Sequence, residues 1–373
     1  MNTREFGTRS GFRVPRASIG GMRLPQDDDE AVALIRHAID SGMRYIDTSR
    51  GYGDSEIKIG KALKGGYRDK VILSTKWSPW VSRIHDTDDA SESCVRHRID
   101  ESMRRLDVDH LDFYQIWNID TREHFEEATA HGGMVEGIQK AIYEGQVGHT
   151  GFTTHDSVEN LLSYMDAIDW CEVILVSYNL LNTRYAPVLA AARERGIGTI
   201  VMNPVGGGKL TEESVYLARI AEGVNAVSVP DMAIRYVLTN PSVNTIISGI
   251  SKMSDVDEVM ASAASGPFSP EEMARIDAFL ELVSIEHTGF CTGCGYCMPC
   301  EHGVDIREIM YAIYDERYWG FSQGARARYE GIKGAKAEAC DHCGKCEPKC
   351  TQKLKIMEEM QYALSRFGEP ALV

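Results

Sequence analysis

The sequence has no run approaching the roughly 20 apolar residues that span a bilayer, and its opening MNTREFGTRSGFRV lacks the apolar stretch of a signal peptide. Both absences predict a cytoplasmic protein with no membrane partner. Positive charge is also short: 40 Lys and Arg face 55 Asp and Glu, and the net charge of -15 repels phosphate backbones and anionic lipid. Nucleic acid is therefore excluded as a partner. No sequence repeat of fixed period is present, no GxGxxG follows the first strand-like segment, no Walker pattern surrounds Lys209, and there is no flavin motif. Cysteine is almost missing from the first three quarters of the chain, where only Cys94 and Cys171 occur. Neither has an evident disulfide role, and both read as buried small hydrophobes.

The other eight of the ten cysteines crowd into two runs. CTGCGYCMPC carries Cys291, Cys294, Cys297 and Cys300, and CDHCGKCEPKC carries Cys340, Cys343, Cys346 and Cys350. Three thiolates at two-residue spacing wrap a compact cube of iron and sulfide, whereas a zinc ribbon takes two separate CxxC pairs. The pattern predicts two 4Fe-4S clusters, and these oxygen-sensitive groups agree with a reducing compartment.

A chain of 373 residues with 43% hydrophobic content can form one large core and a small appendage. From about residue 28, helical periodicity alternates with short β-rich runs. DDDEAVALIRHAIDSG has an acidic start and a closing glycine, as a helix prefers. Strand candidates are MRYID, VILSTK, LDFYQIW, VGHTGF, VILVSYN and GTIVMNP, with shorter ones near Val227 and Ile246. About eight strands alternating with helices over roughly 240 residues predict a parallel sheet closed as a (β/α)8 TIM barrel. A doubly wound open sheet is the alternative, weakened by the missing GxGxxG. A helix after Ser269 leads to the second domain, and VDIREIMYAIYDERYWG reads as a helix covering the clusters. The expected domains are a barrel over 1–286 and a dicluster ferredoxin-like domain over 287–373.

Barrel enzymes place their chemistry at the C-terminal ends of strands, and three polar residues stand there. Asp47 ends MRYID, Lys76 ends VILSTK, and Tyr52 lies in the loop just after Asp47. Singly, each has an ordinary structural explanation, as a cap, a surface cation or a half-buried ring. Together they compose a proton donor: an ammonium stabilises the phenolate, and a carboxylate holds the ammonium. Such a tyrosine can protonate a carbonyl oxygen as carbon is reduced.

YIDTSRGYGDSE, STK and LDFYQIW together resemble the aldo-keto reductase superfamily, and the cysteine runs resemble its ferredoxin-type branch. The GFTTH segment, the NPVGGGKL segment and the C-terminal domain extend the likeness over almost the whole chain. The resemblance implies a (β/α)8 barrel, a nicotinamide cofactor, NADP(H) or NAD(H), and substrates that are aldehydes, ketones or sugars. It assigns Asp47, Tyr52 and Lys76 to catalysis. The family's fourth residue, a His after FYQI, is here Trp117, followed by Asn118; an indole offers one N–H and cannot titrate near neutral pH. Trp117 either fills the pocket or stacks on substrate. With Asn118 and His155 it forms the expected substrate side. The expected cofactor side comprises Asn179, Gly206, Gly207, Ser251 and Lys252. Several family contacts differ on that side: Leu175 stands for a Gln, Met202 for a stacking Tyr, and Asp255 and Val259 for a basic residue and an adenine-binding Asn. An anion at a phosphate site costs affinity.

The bacterial dicluster ferredoxin run, which the cysteines resemble, sends its fourth cysteine to the other cluster. That implies Cys291, Cys294 and Cys297 with Cys350, and Cys340, Cys343 and Cys346 with Cys300. Two departures stand out. Only two residues separate Cys297 from Cys300, and Glu301 and Thr351 replace the prolines.

An iron-sulfur cluster passes one electron at a time, whereas nicotinamide moves two as hydride. The expectation is an oxidoreductase acting on a small carbonyl or hydroxyl compound and exchanging electrons with a ferredoxin or flavoprotein carrier. An electron-transfer or redox-sensing protein that has lost hydride chemistry, and a barrel lyase or isomerase using Tyr52 and Lys76, are the alternatives.

Overall fold

The computed structural model describes residues 3–81, 84–286, 291, 295, 297–350 and 353–368. Eight parallel strands close into a barrel: β1 (Ala17–Gly20), β2 (Tyr45–Asp47), β3 (Ile72–Trp77), β4 (Leu111–Ile116), β5 (Val147–Thr153), β6 (Val173–Ser177), β7 (Gly198–Met202) and β8 (Thr245–Gly249). Each pairs with its neighbour in sequence, and β8 pairs with both β7 and β1. The strands are nearly all buried, as a parallel barrel covered by helices requires.

The expected strand count is met with one different member. The segment near Val227 is not a strand: Val227 is exposed, and Ser228 Oγ accepts from Asp231 N at 3.2 Å to start the helix Val229–Thr239. The missing strand is β1, ahead of residue 28, whose ASIG carries too little β-branched bulk to announce itself. The first helix follows its sequence signals closely. In α1 (Asp28–Ser41), Asp27 caps by accepting from Glu30 N at 2.9 Å, and Gly42 ends the helix in the left-handed region at φ 105°.

Before the barrel, Thr3–Glu5 and Arg13–Pro15 form an antiparallel hairpin. It delivers Phe6 into a cluster with Val14, Tyr45, Phe113, Val173 and Ile200, its ring 5.4 Å from both Tyr45 and Phe113. Burying one such ring contributes about 2 kcal/mol. Gly198 is small of necessity, because a Cβ there would lie 2.8 Å from the Phe6 ring.

The chain divides into two compact units. The barrel unit comprises Met1–Gly207 and Ala233–Pro267, and the second unit comprises Gly208–Met232 and Phe268–Val373. The second unit thus takes in Gly208–Met232 together with the cysteine-bearing region. It contains α-helices Pro270–Glu286, Ile306–Arg317, Ser322–Glu330 and Ile356–Phe367. Ile306–Arg317 confirms the helix expected between the cysteine runs. It packs Ile309, Met310 and Ile313 against Tyr329, Met360 and Phe367. No described helix is long and apolar enough to cross a membrane.

Candidate functional site

Asp47 and Lys76 meet inside the barrel because β2 and β3 run side by side and both residues lie at the C-terminal ends of their strands. The Lys76 ammonium donates to Asp47 Oδ1 and, at 2.9 Å, to the carbonyl of Thr48. It also lies against Tyr52, with Nζ 5.0 Å from the Tyr52 ring centroid. Asp47 and Lys76 are 1% and 2% exposed, so the pair is nearly free of water. Trp117 follows β4 and presents its ring to Tyr52 edge-on, centroids 5.3 Å apart at 85°. Its backbone is fixed on both sides, the N–H donating to Trp77 O at 3.2 Å and the carbonyl accepting from Ser78 Oγ at 2.5 Å.

Burial sets the electrostatics. Desolvation raises the Tyr52 phenol above its ordinary value, with Asp47 adding to the rise and Lys76 opposing it. The sequence reading has Lys76 lowering this pKa; its influence does lower it, but burial prevails. Desolvation alone would depress Lys76, yet Asp47 and Tyr52 together hold the ammonium above its ordinary range. Asp47 is pushed up by burial and drawn back by Lys76 and Gln115.

Gln115 escaped the sequence reading. It lies in phase with Phe113 on β4, and Nε2 donates to Ser74 Oγ at 2.9 Å and to Asp47 Oδ2 at 3.3 Å. A buried amide two residues before Trp117 was the available signal. Its Oε1 has no hydrogen-bond partner.

The other expected residues divide. Asn118 adopts φ 57°, and its backbone N–H and side-chain Oδ1 both engage Thr153 Oγ1 at 2.9 Å, so it stays beside Trp117 at the end of β5. His155 is exposed, and its backbone N–H donates to Asp120 Oδ1 at 2.6 Å. Asn179 is buried and holds loops together, Nδ2 donating to Asn203 O at 2.9 Å and Oδ1 accepting from Leu181 N at 2.9 Å. Gly206 and Gly207 have φ of 61° and 71°, and Gly207 O accepts from Arg23 Nη2 at 2.9 Å. Leu175 is buried in the apolar cluster around Phe6.

Ser251 and Lys252 are already engaged. Asp255 Oδ2 accepts from Ser251 N and Ser251 Oγ, each at 2.8 Å, and from Lys252 N at 3.2 Å. The carboxylate thereby caps the helix Met253–Ala264.

In the second unit, Cys291, Cys297, Cys300, Cys340, Cys346 and Cys350 pack partly buried against the apolar core, and Cys343 is exposed. Cys294 lies outside the described residues. Of the two cysteines outside these runs, Cys94 is half-buried and Cys171 fully buried. One cavity is lined by Cys297, Cys300, Cys340, Cys343 and Cys346, with Val304, Ile306 and Met360 behind them. Elsewhere, burial pushes the Cys171 thiol up to about 12 and raises Cys94, so neither is a ready nucleophile.

A model of the aldo/keto reductase family matches residues 16–281. The chain belongs to the aldo/keto reductase family. A 4Fe-4S dicluster domain matches residues 290–355. The uncharacterized oxidoreductase YrpG of Bacillus subtilis (strain 168) is 30% identical over 221 residues, 54% of this chain and 66% of that relative's length. The uncharacterized oxidoreductase YqkF of the same organism is 22% identical over 305 residues, 74% of this chain and 96% of that one. Among solved structures, the holo form of aldo-keto reductase AKR11C1 from Bacillus halodurans superposes with a TM-score of 0.65 at 23% identity, covering 74% of this chain and 96% of that one. It shows the same fold. This aldo/keto reductase is an oxidoreductase carrying a 4Fe-4S dicluster domain.

The family's usual cofactor can now be tested against the loop after β8. A phosphate there needs free donors, and the three that converge are occupied by Asp255, itself an anion. These residues do not fit the phosphate of NADP(H), and no step is derived through it. Iron-sulfur clusters fit better. Cys297 and Cys300 join Cys340, Cys343 and Cys346 around one cavity with an apolar back wall, the donor chemistry that soft iron-sulfide cubes require.

Proposed function

We propose that this aldo/keto reductase interconverts a small carbonyl compound and its alcohol, with Tyr52 as the proton donor and with electrons exchanged through two 4Fe-4S clusters. The observation that carries the reading is the buried Asp47–Lys76 pair at the strand ends, with the half-buried Tyr52 ring 5.0 Å from the ammonium. When bound, each cluster supplies or accepts one electron at a time. Reduction of a carbonyl to a hydroxyl consumes two electrons, drawn one at a time from the reduced carrier, and two protons, one placed on oxygen and one taken up at carbon from water. Tyr52 gives one proton to the carbonyl oxygen, and Lys76, held by Asp47, stabilises the phenolate left behind. Trp117 beside Tyr52 closes one wall of the pocket and offers a flat face to the substrate. Cys300, Cys340, Cys343 and Cys346 would hold one cluster; Cys291, Cys294, Cys297 and Cys350 would hold the other. The electron partner is a ferredoxin or flavoprotein, and oxygen-sensitive clusters suit the cytoplasm.

Turnover of a carbonyl panel, with NADPH, NADH or reduced ferredoxin as donor, tests the reading. Reduction that needs ferredoxin supports it. Activity with NADPH alone would restore the family's usual chemistry, and no redox turnover from any donor would favour a sensor or a lyase.

Two substitutions extend the test. Trp117→His restores the family's imidazole and opens volume beside Tyr52; it is expected to lower the native turnover without creating NADPH-dependent reduction, because the cofactor loop is unchanged. Steady-state assays with both donors check this. Asp255→Asn keeps the cap's shape but removes its charge, so calorimetry should show NADPH binding about tenfold tighter than the weak or absent binding of the wild type, the effect of one charge at a phosphate site.

A further inference from the structure

Tyr52 sits on a short irregular loop between β2 and α2 (Ser55–Ala62), and the side chains that grip this loop on either side of Tyr52 include two from one helix, α3 (Glu92–Leu106). Arg98, Glu101 and Arg105 follow each other at three- and four-residue spacing, so they share one stripe of α3. Arg50, two residues before Tyr52, donates from Nη2 to Glu101 Oε1 at 2.6 Å. Arg105 donates to the carbonyl of Gly53, the residue after Tyr52. Its Nε also pairs at 2.9 Å with Glu56, which is fully buried and takes Thr75 Oγ1, the neighbour of Lys76, at 2.8 Å.

The grip continues inward. The second oxygen of Glu101 receives Arg98, and Arg98 pairs on with Asp88 in the segment after β3. The Arg98 guanidinium lies 5.6 Å over the ring of Trp77, next to Lys76. Charges alternate along Arg50, Glu101, Arg98 and Asp88, and the last two side chains are only 2% and 3% exposed. Burying such a chain costs desolvation that packed apolar residues would avoid. It also leaves the Nε atoms of Arg50 and Arg98 buried without partners. A tie needed only to hold the barrel shut could be apolar, whereas this one runs to both flanks of one tyrosine.

We infer that Arg50, through Glu101, and Arg105 are positioning residues that hold the Tyr52 loop at both ends and keep the phenol within reach of Lys76. The inference rests on Tyr52 as the proton donor, but its test reads the phenol itself. The charged groups facing that phenol are Lys76 and Asp47.

In holoprotein containing tyrosine labelled with carbon-13 at Cζ, the Tyr52 resonance is assigned by its loss in Tyr52→Phe and titrated by NMR. Glu101→Gln and Arg105→Met are each expected to let the loop open to water, moving the Tyr52 titration by about one unit towards the ordinary tyrosine value. Arg50→Lys, which keeps the ion pair, should titrate as the wild type does. Arg96→Gln breaks the Arg96–Glu144 pair of the same helix and should also leave Tyr52 unmoved. An unchanged Tyr52 titration in both Glu101→Gln and Arg105→Met, or an equal shift in Arg96→Gln, overturns the inference. If one of the two loosening variants does not fold, the other decides alone. Full turnover in Tyr52→Phe would instead sink the donor role and leave this tie standing.

Discussion

Tyr52→Phe is expected to lower turnover by about 10²–10⁴-fold, the contribution of a placed general acid, while iron content and melting behaviour stay as in the wild type. Only one hydroxyl is lost, and the ring that meets Trp117 edge-on is retained. The pH profile carries a second signature. Burial, the largest influence, raises the Tyr52 phenol above its ordinary value, and Lys76 only partly offsets this. A donor must be protonated to act, so its active form is present below the folded-state pKa. A raised pKa widens that window upwards. The rate of carbonyl reduction should therefore be flat with respect to Tyr52 through neutral pH and fall only above the usual tyrosine range near about 10. In the alcohol-oxidising direction the phenolate is the base, and the same group gives a rate that rises with pH. Wild-type activity surviving in Tyr52→Phe, or a Tyr52-dependent limb near pH 6, would remove this residue from the mechanism.

That Asp47, Tyr52 and Lys76 were legible in the sequence follows from where they stand. Each lies at or just past the C-terminal end of an apolar strand, and such ends converge when the barrel closes. The barrel itself was legible because β2 to β7 are short runs rich in β-branched and aromatic residues that alternate with helical segments. β1 was not, because Ala17 and Gly20 lack the bulk that marks a strand, and Val227 mimicked one only by being apolar. What stayed hidden depends on tertiary placement. Asp255 stands in the sequence as an anion near a phosphate site, but only the fold shows it taking the donors of Ser251 and Lys252. Arg50 and Glu101 are 51 residues apart, and no periodicity links a loop arginine to a helix glutamate. His155 illustrates the converse: its motif matched the family, yet its ring faces solvent.

Cys346→Ala is expected to remove one whole cluster, reducing iron from about eight to about four atoms per chain in anaerobically purified protein. A cube that loses one of four thiolates is poorly retained, and Cys346 shares its cavity with Cys297, Cys300, Cys340 and Cys343. With the crossed pairing Cys300→Ala should give the same loss although Cys300 belongs to the other sequence run. The double variant Cys300→Ala/Cys346→Ala separates the possible pairings. With crossed ligands both substitutions strike one cluster, and about four irons remain; with each run holding its own cube, both clusters fail and almost none remains. Iron and sulfide analysis with electron paramagnetic resonance of the reduced protein reads the difference. The damage should spread beyond the metal, because the core of Ile309, Met310, Ile313 and Met360 is small and six of the described cysteines pack directly on it. Protease should then cut the region after residue 287 first, with the barrel surviving. Stoichiometric zinc without sulfide in the wild type would overturn the cluster reading.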